Sequence, residues 1–188
     1  MKKILFLFGA LNDDDLDWII STGHIERVSP GVNLIEEGEL INDLYILLEG
    51  KVVVSVAVFD SYQEIAILES GEVFGEMSFV DSRLPSATVE TLEDSLVLSI
   101  PRDHLATRLH QDIGFASRFY RAIALFLSSR LRMMLKERDY EREYLTLETV
   151  EKQDFPPAFL ENLPFAEVRY DWLLRRIKNS QEDYQEIL

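Results

Sequence analysis

Between Ile25 and Ile100 no apolar run goes far before a glycine, a proline or a cluster of charge interrupts it. This punctuation limits the fold more than any other feature of the chain. The segments Glu26 to Val28, Val32 to Ile35, Leu44 to Leu48, Lys51 to Phe59, Glu64 to Leu68, Thr88 to Glu90 and Ser95 to Ile100 have the composition of short strands. Ser29-Pro30-Gly31, Glu37-Gly38-Glu39, Glu49-Gly50, Asp60-Ser61 and Ser70-Gly71 separate them as turns. Many short strands at this spacing predict an α+β chain whose centre is an antiparallel β-roll, a barrel or jelly roll of about eight strands. A short N-terminal helix and C-terminal helices complete it.

Asn12 and Asp13 cap a helix predicted to run to about Thr22, with Leu16, Ile19 and Ile20 on one face, Gly23 as its stop and Leu5 to Phe8 packed beside it. After the strands, Pro101 is placed at the start of a helix that continues through Arg102 to His110. A second, longer helix is expected from Gln111 or Asp112 to about Tyr144. Along it Tyr120, Ile123, Leu127, Leu131 and Met134 recur at spacings of three and four. That seam reads either as a homodimer interface or as a face laid on the roll itself. Arg118, Arg121, Arg130, Arg132, Lys136 and Arg138 share this helix, as a solvated face or as contact for an acidic partner or for the chain's own acidic tail. Beyond Leu145 the chain turns acidic and is broken at Pro156, Pro157 and Pro164. A last helix is expected from about Phe165 to Lys178, offering Val168, Trp172 and Ile177, with Leu173 on the flank. The resulting division is a domain over residues 1–136 and a docked acidic tail over 137–188.

A formal net charge of -15 argues against wide contact with nucleic-acid phosphates or an anionic bilayer. Without cysteine there is no disulfide framework, thiolate metal site or thiol catalysis, which fits a cytoplasmic location. Met1 to Ala10 carries two lysines and a short apolar run, but Asn12-Asp13-Asp14-Asp15 follows at once with a helix start, so secretion is not the reading. No apolar run is long enough to span a bilayer. His24, His104 and His110 have no metal-ligand spacing, and no nucleophile elbow, P-loop or dinucleotide fingerprint is present. The expectation is a protein that is not an enzyme, with no catalytic and no metal-binding residues.

One stretch stands apart. From Phe74 to Val89 a glycine ends a strand, a carboxylate follows, a short run suits one helical turn, and Pro85-Ser86-Ala87-Thr88 returns to strand. Backbone N–H groups converging at such a turn suit an anion such as a phosphate. The same residues also read as a tight turn at Gly75, with Glu76 at the positive end of a short helix.

The order of elements, together with Glu37-Gly38-Glu39, Leu47-Leu48-Glu49-Gly50-Lys51-Val52, Gly71-Glu72-Val73-Phe74-Gly75-Glu76-Met77-Ser78 and Ser86-Ala87-Thr88-Val89, resembles the cyclic-nucleotide-binding domain. Catabolite activator proteins and protein kinase A regulatory subunits share that module. The resemblance spans roughly Phe6 to Lys136. It implies that Gly38, Gly50 and Gly71 are turn glycines and that Phe74-Gly75-Glu76 opens a phosphate-binding cassette whose glutamate accepts the ribose 2′-hydroxyl. It further implies that Ser86 and Ala87 face the cyclic phosphate; Met77, Ser78, Arg83 and Thr88 complete the expected ligand-binding set. The pattern departs at Pro85, where ligand-binding members carry an arginine for the phosphate; Arg83, two residues earlier, either reaches inward as a substitute or is an exposed loop arginine of the turn Asp81-Ser82-Arg83.

The resemblance therefore implies a regulatory or sensor protein. It would bind a cyclic nucleotide (cyclic AMP or cyclic GMP) or a related small anion weakly, and signal through its long C-terminal helix to a protein partner. The alternative is a pseudo-sensor that binds no nucleotide and serves as an assembly module. A transcription-factor relative is a third reading, but no recognition helix follows the roll and direct contact with nucleic acid is not expected.

Overall fold

The computed structural model describes residues 4–59, 61–139 and 157–185. The described residues divide into two compact units, one within 13–113 and one of 4–12 with 114–139 and 157–185.

The first unit opens with α2 (Asp13–Thr22), which follows α1 of the second unit (Ile4–Ala10). Three aspartates in its first turn favour the positive end of the helix, Leu16 and Ile19 are buried, and Gly23 donates its N–H to the Ile19 carbonyl at 2.9 Å to end it. Eight strands follow: β1 (His24–Val28), β2 (Asn33–Ile35), β3 (Asp43–Glu49), β4 (Lys51–Val58), β5 (Ser61–Glu69), β6 (Val73–Phe74), β7 (Thr88–Thr91) and β8 (Ser95–Pro101). They form two four-stranded antiparallel sheets, ordered β1-β8-β3-β6 and β2-β7-β4-β5. Each sheet keeps two edge strands, so of the two forms expected, barrel or jelly roll, the structure takes an open roll and not a closed barrel.

Residue pattern explains which strand lies where. In β3, Leu44, Ile46, Leu47 and Leu48 are all buried, and β8 is buried from Ser95 to Ile100; these two form the middle of the first sheet. β4 alternates, turning Val52 and Val54 inward. The roll's interior is a cluster of Val28, Leu47, Phe74 and Val97 from one sheet with Ile35, Val52, Val54, Leu68 and Val89 from the other. Two short helices interrupt or follow the strands, α3 (Glu76–Asp81) and α4 (Arg102–Gln111). Pro101 is the last residue of β8 and the N-cap of α4, one position earlier than the helix start assigned to it, because its ψ of 126° is extended. Strand β6, only two residues long, is too short to show a period in sequence.

The second unit contains α1, α5 (Ile113–Asp139) and α6 (Pro157–Gln185). α1 is itself a helix, apolar all round, with every residue from Ile4 to Phe8 buried. Phe6 packs with Phe126 of α5, and Leu125, Leu127 and Leu163 surround them. The ring of Phe8 meets that of Tyr170 edge-on at 6.0 Å. Arg169 of α6 donates from Nη1 to the carbonyls of Phe8 and Leu11, both at 2.8 Å, satisfying acceptors that the end of α1 leaves open.

Three helical expectations need correction here. Pro164 does not break the chain; it lies inside α6, which is opened by Pro157 and extends well past both predicted ends. The buried face of α6 is Ala166, Tyr170, Leu173 and Ile177, whereas Val168 and Trp172, grouped with Ile177 from sequence, are exposed. Along α5, Ile123 is 3% exposed and so leaves no free surface for a seam, Leu127 is half-buried, and Tyr120 and Leu131 remain 47% and 59% exposed. The side chains of Met134, Lys136 and Arg138, the expected end of α5 near Tyr144 and the break at Pro156 lie outside the described residues.

Candidate ligand site

The stretch singled out in sequence folds as β6, a turn, α3, a loop and β7. Phe74 ends β6 buried and stacks on Tyr45 of β3, its cross-strand partner, with ring centroids 5.3 Å apart. Gly75 follows with φ 85° and ψ -2°, a left-handed conformation that turns the chain directly into α3. Glu76 is the first helical residue and is 2% exposed, an unusual depth for a carboxylate. Ser78 is buried beside it, while Met77 is exposed. The helix closes where the Ser82 N–H donates to the Ser78 carbonyl at 3.0 Å. Arg102, at the start of α4, steadies it from outside: its guanidinium lies 5.6 Å from the Phe79 ring centroid and Nη2 donates to Ser82 Oγ at 3.3 Å.

The return to strand is tied down by backbone contacts. Pro85 is buried and its carbonyl accepts the Gly38 N–H at 2.9 Å. Ser86 is exposed, Ala87 is half-buried against the interior cluster, and Thr88 is buried at the start of β7. Thr88 Oγ1 accepts the Glu37 N–H at 3.1 Å, and Glu37 Oε2 in turn accepts the Ala57 N–H at 2.7 Å. The turn around Gly38 is thereby fastened to both β4 and β7. Arg83 stands apart from these residues. Its side chain is 84% exposed, its N–H donates to Asp81 Oδ1 at 3.0 Å and its Nε lies 3.8 Å from Asp81 Oδ2.

A cavity of about 340 Å³ opens within the same unit, lined by Asn33, Ile35, Glu36, Glu39, Ile41, Asn42, Asp43, Tyr45 and Pro85 among others. Of the 74–89 stretch only Pro85 reaches it. Burial pushes the Tyr45 phenol up to about 12, helped by the Asp43 and Glu26 carboxylates, and burial also raises Asp43 above the usual carboxylate range against the opposing pull of His24. Glu37, Ile41 and Tyr45 were not anticipated as part of this neighbourhood. Ile41 lies in an irregular loop, and the Tyr45–Phe74 stack depends on the two-residue strand β6. Among the described residues no group of three or more His, Asp or Glu is arranged to hold a metal ion, and no helix is long and apolar enough to cross a membrane.

Residues 25–112 match the family described as the cyclic nucleotide-binding domain. The chain is 33% identical over 98 residues to the cGMP-dependent protein kinase of Eimeria tenella, covering 52% of this chain and 9% of the kinase. The crystal structure of the Thermus thermophilus catabolite activator protein superposes with a TM-score of 0.59 at 27% identity, covering 72% of this chain and 62% of that one. The regulatory domain of Toxoplasma gondii PKA, crystallised with cAMP, gives a TM-score of 0.52 at 25% identity over 56% of this chain and 42% of that one. The chain thus spans less than two thirds of each of these relatives. Sequence match and two-sheet roll agree on the same segment: over residues 25–112 the chain carries a member of the cyclic nucleotide-binding domain family.

Proposed function

We propose that residues 13–113 form a non-catalytic sensor module for a cyclic nucleotide, cyclic AMP or cyclic GMP, or a related small anion held weakly. Its state is passed through α5 to a protein partner. The observation that carries this reading is Glu76, a carboxylate 2% exposed directly after a left-handed glycine. An ionised carboxylate accepts hydrogen bonds only, which suits recognition of a ribose 2′-hydroxyl and rejection of a ligand lacking one. Ser86, exposed at the end of the returning loop, and the Ala87 N–H supply donors for a phosphate. α5 also supports a homodimer, since Tyr120 and Leu131 stay exposed at the spacing of a coiled-coil seam.

Isothermal calorimetry of the full chain with cyclic AMP and with cyclic GMP tests this. Binding heat at micromolar ligand that disappears in Glu76→Ala is the expected result; no heat from either nucleotide at millimolar concentration overturns it. That negative result is what the second reading requires. In it the roll binds no nucleotide and acts as an assembly module, a reading favoured by Pro85, which offers neither charge nor N–H and whose carbonyl is already bound to Gly38.

A further inference from the structure

α6 carries two apolar stripes. The first, Ala166, Tyr170, Leu173 and Ile177, is buried. The second, Phe165, Val168 and Trp172, recurs at spacings of three and four on the face turned away from the first, and its residues remain 66%, 68% and 45% exposed. Contiguous bulky apolar side chains left in water mark a contact surface.

The charges at its ends identify the occupant. Glu161 lies one turn before Phe165, Arg175 and Arg176 lie one turn after Trp172, and all three are exposed. Arg176 sits over the Trp172 ring, 5.1 Å from its centroid, which holds the cation at the end of the stripe. The stripe therefore runs from acid through apolar to base, and its complement is the same stripe reversed. If a second copy crosses it antiparallel at Val168, Phe165 approaches Trp172 of the second copy, and Glu161 approaches Arg176 at both ends. A parallel arrangement would set Glu161 against Glu161 and arginine against arginine. A twofold axis demands a patch that complements itself, and this one does so in one orientation. Glu167 and Asp171 along the border disfavour an anionic membrane as the occupant. We propose that α6 pairs antiparallel with α6 of a second copy of this chain, with Val168 on the axis.

The chain has no cysteine, so single cysteines report the contact without background. The test uses the full chain carrying Leu131→Glu, which disables the α5 seam, under mild copper-phenanthroline oxidation. Val168→Cys is expected to form a disulfide-linked dimer about tenfold or more faster than Leu40→Cys, an exposed control in the other unit, because a residue on the axis meets its own copy at high effective concentration. Adding Glu161→Arg returns the rate to the control value, and Glu161→Arg with Arg175→Glu and Arg176→Glu restores it. None of these residues belongs to the buried face of α6, and unchanged helical circular dichroism verifies that the fold is kept. Equal rates for Val168→Cys and Leu40→Cys overturn the proposal. So does cross-linking indifferent to the charge reversal, or a chain that stays monomeric by sedimentation while binding lipid vesicles through Trp172.

Discussion

Gly75 and Gly50 both hold left-handed backbone, at φ 85° and 99°, yet an added methyl group meets different neighbours at each. At Gly75 the new β-carbon would stand 2.6 Å from Cδ1 of Ile41, the end of a flexible side chain that can swing aside. The loss in Gly75→Ala is then mainly backbone strain, about 1–2 kcal/mol. At Gly50 it would stand 2.8 Å from the Cα of Ser95, backbone held within β8, so Gly50→Ala is expected to lose more. Urea midpoints of the two variants, compared with the parent chain, check the order; an equal loss would mean that the Ser95 backbone yields. The decisive single residue for ligand is Pro85. The acceptor for Gly38 is its backbone carbonyl, so Pro85→Arg adds the missing cation without removing that acceptor. A charge-assisted contact to a cyclic phosphate adds roughly 1.5 to 3 kcal/mol, one to two powers of ten in affinity. If calorimetry finds no such gain, the segment following α3 does not face the phosphate as the family resemblance implies.

Elements differ in how plainly the sequence announces them. Seven of the eight strands were visible because each carries its own run of β-branched and aliphatic residues between turn residues. β6 was legible only as the strand that Gly75 ends, without bounds, since two residues have no period and its place is set by pairing with Tyr45 and Ile46. α1 was hidden, because a helix buried on every side shows no alternation. Pro164 misled in the opposite direction: local propensity makes proline a breaker, but the apolar face from Ala166 to Ile177 outweighs that cost in α6. Of the candidate site, the left-handed turn at Gly75 and the helix start at Glu76 were legible, but the neighbourhood was not, because Glu37 and Tyr45 are brought there by strand pairing and long-range hydrogen bonds. The seam on α5 is divided by the same effect. Periodicity grouped Ile123 with Tyr120 and Leu131, but Ile123 is already buried in the single chain. The exposed remainder predicts that Leu131→Glu lowers the dimer fraction in analytical ultracentrifugation at micromolar concentration while leaving the unfolding midpoint nearly unchanged. A matching loss of stability would instead assign Leu131 to internal packing.

At the scale of the whole molecule, the proposed sensing function requires that the unit of residues 13–113 and the unit containing α1, α5 and α6 share one free-energy account. Ligand bound to only one unit stabilises that unit by RT ln(1 + [L]/Kd), about 2.7 kcal/mol at a hundredfold excess over Kd. Signalling through α5 means that the second unit must feel part of that shift, because a ligand moves a conformational equilibrium only by its difference in affinity for the two states. The two tryptophans allow a direct measurement, for Trp18 lies in α2 of the first unit and Trp172 in α6 of the second. In Trp172→Phe the fluorescence reports unfolding of the roll unit, and in Trp18→Phe it reports unfolding of the helical unit. With saturating cyclic nucleotide, both urea midpoints are expected to rise, and both rises are expected to vanish in Glu76→Ala. A rise confined to the Trp18 reporter would show a module that binds without transmitting, and the signalling half of the proposed function would fall while the binding half stood.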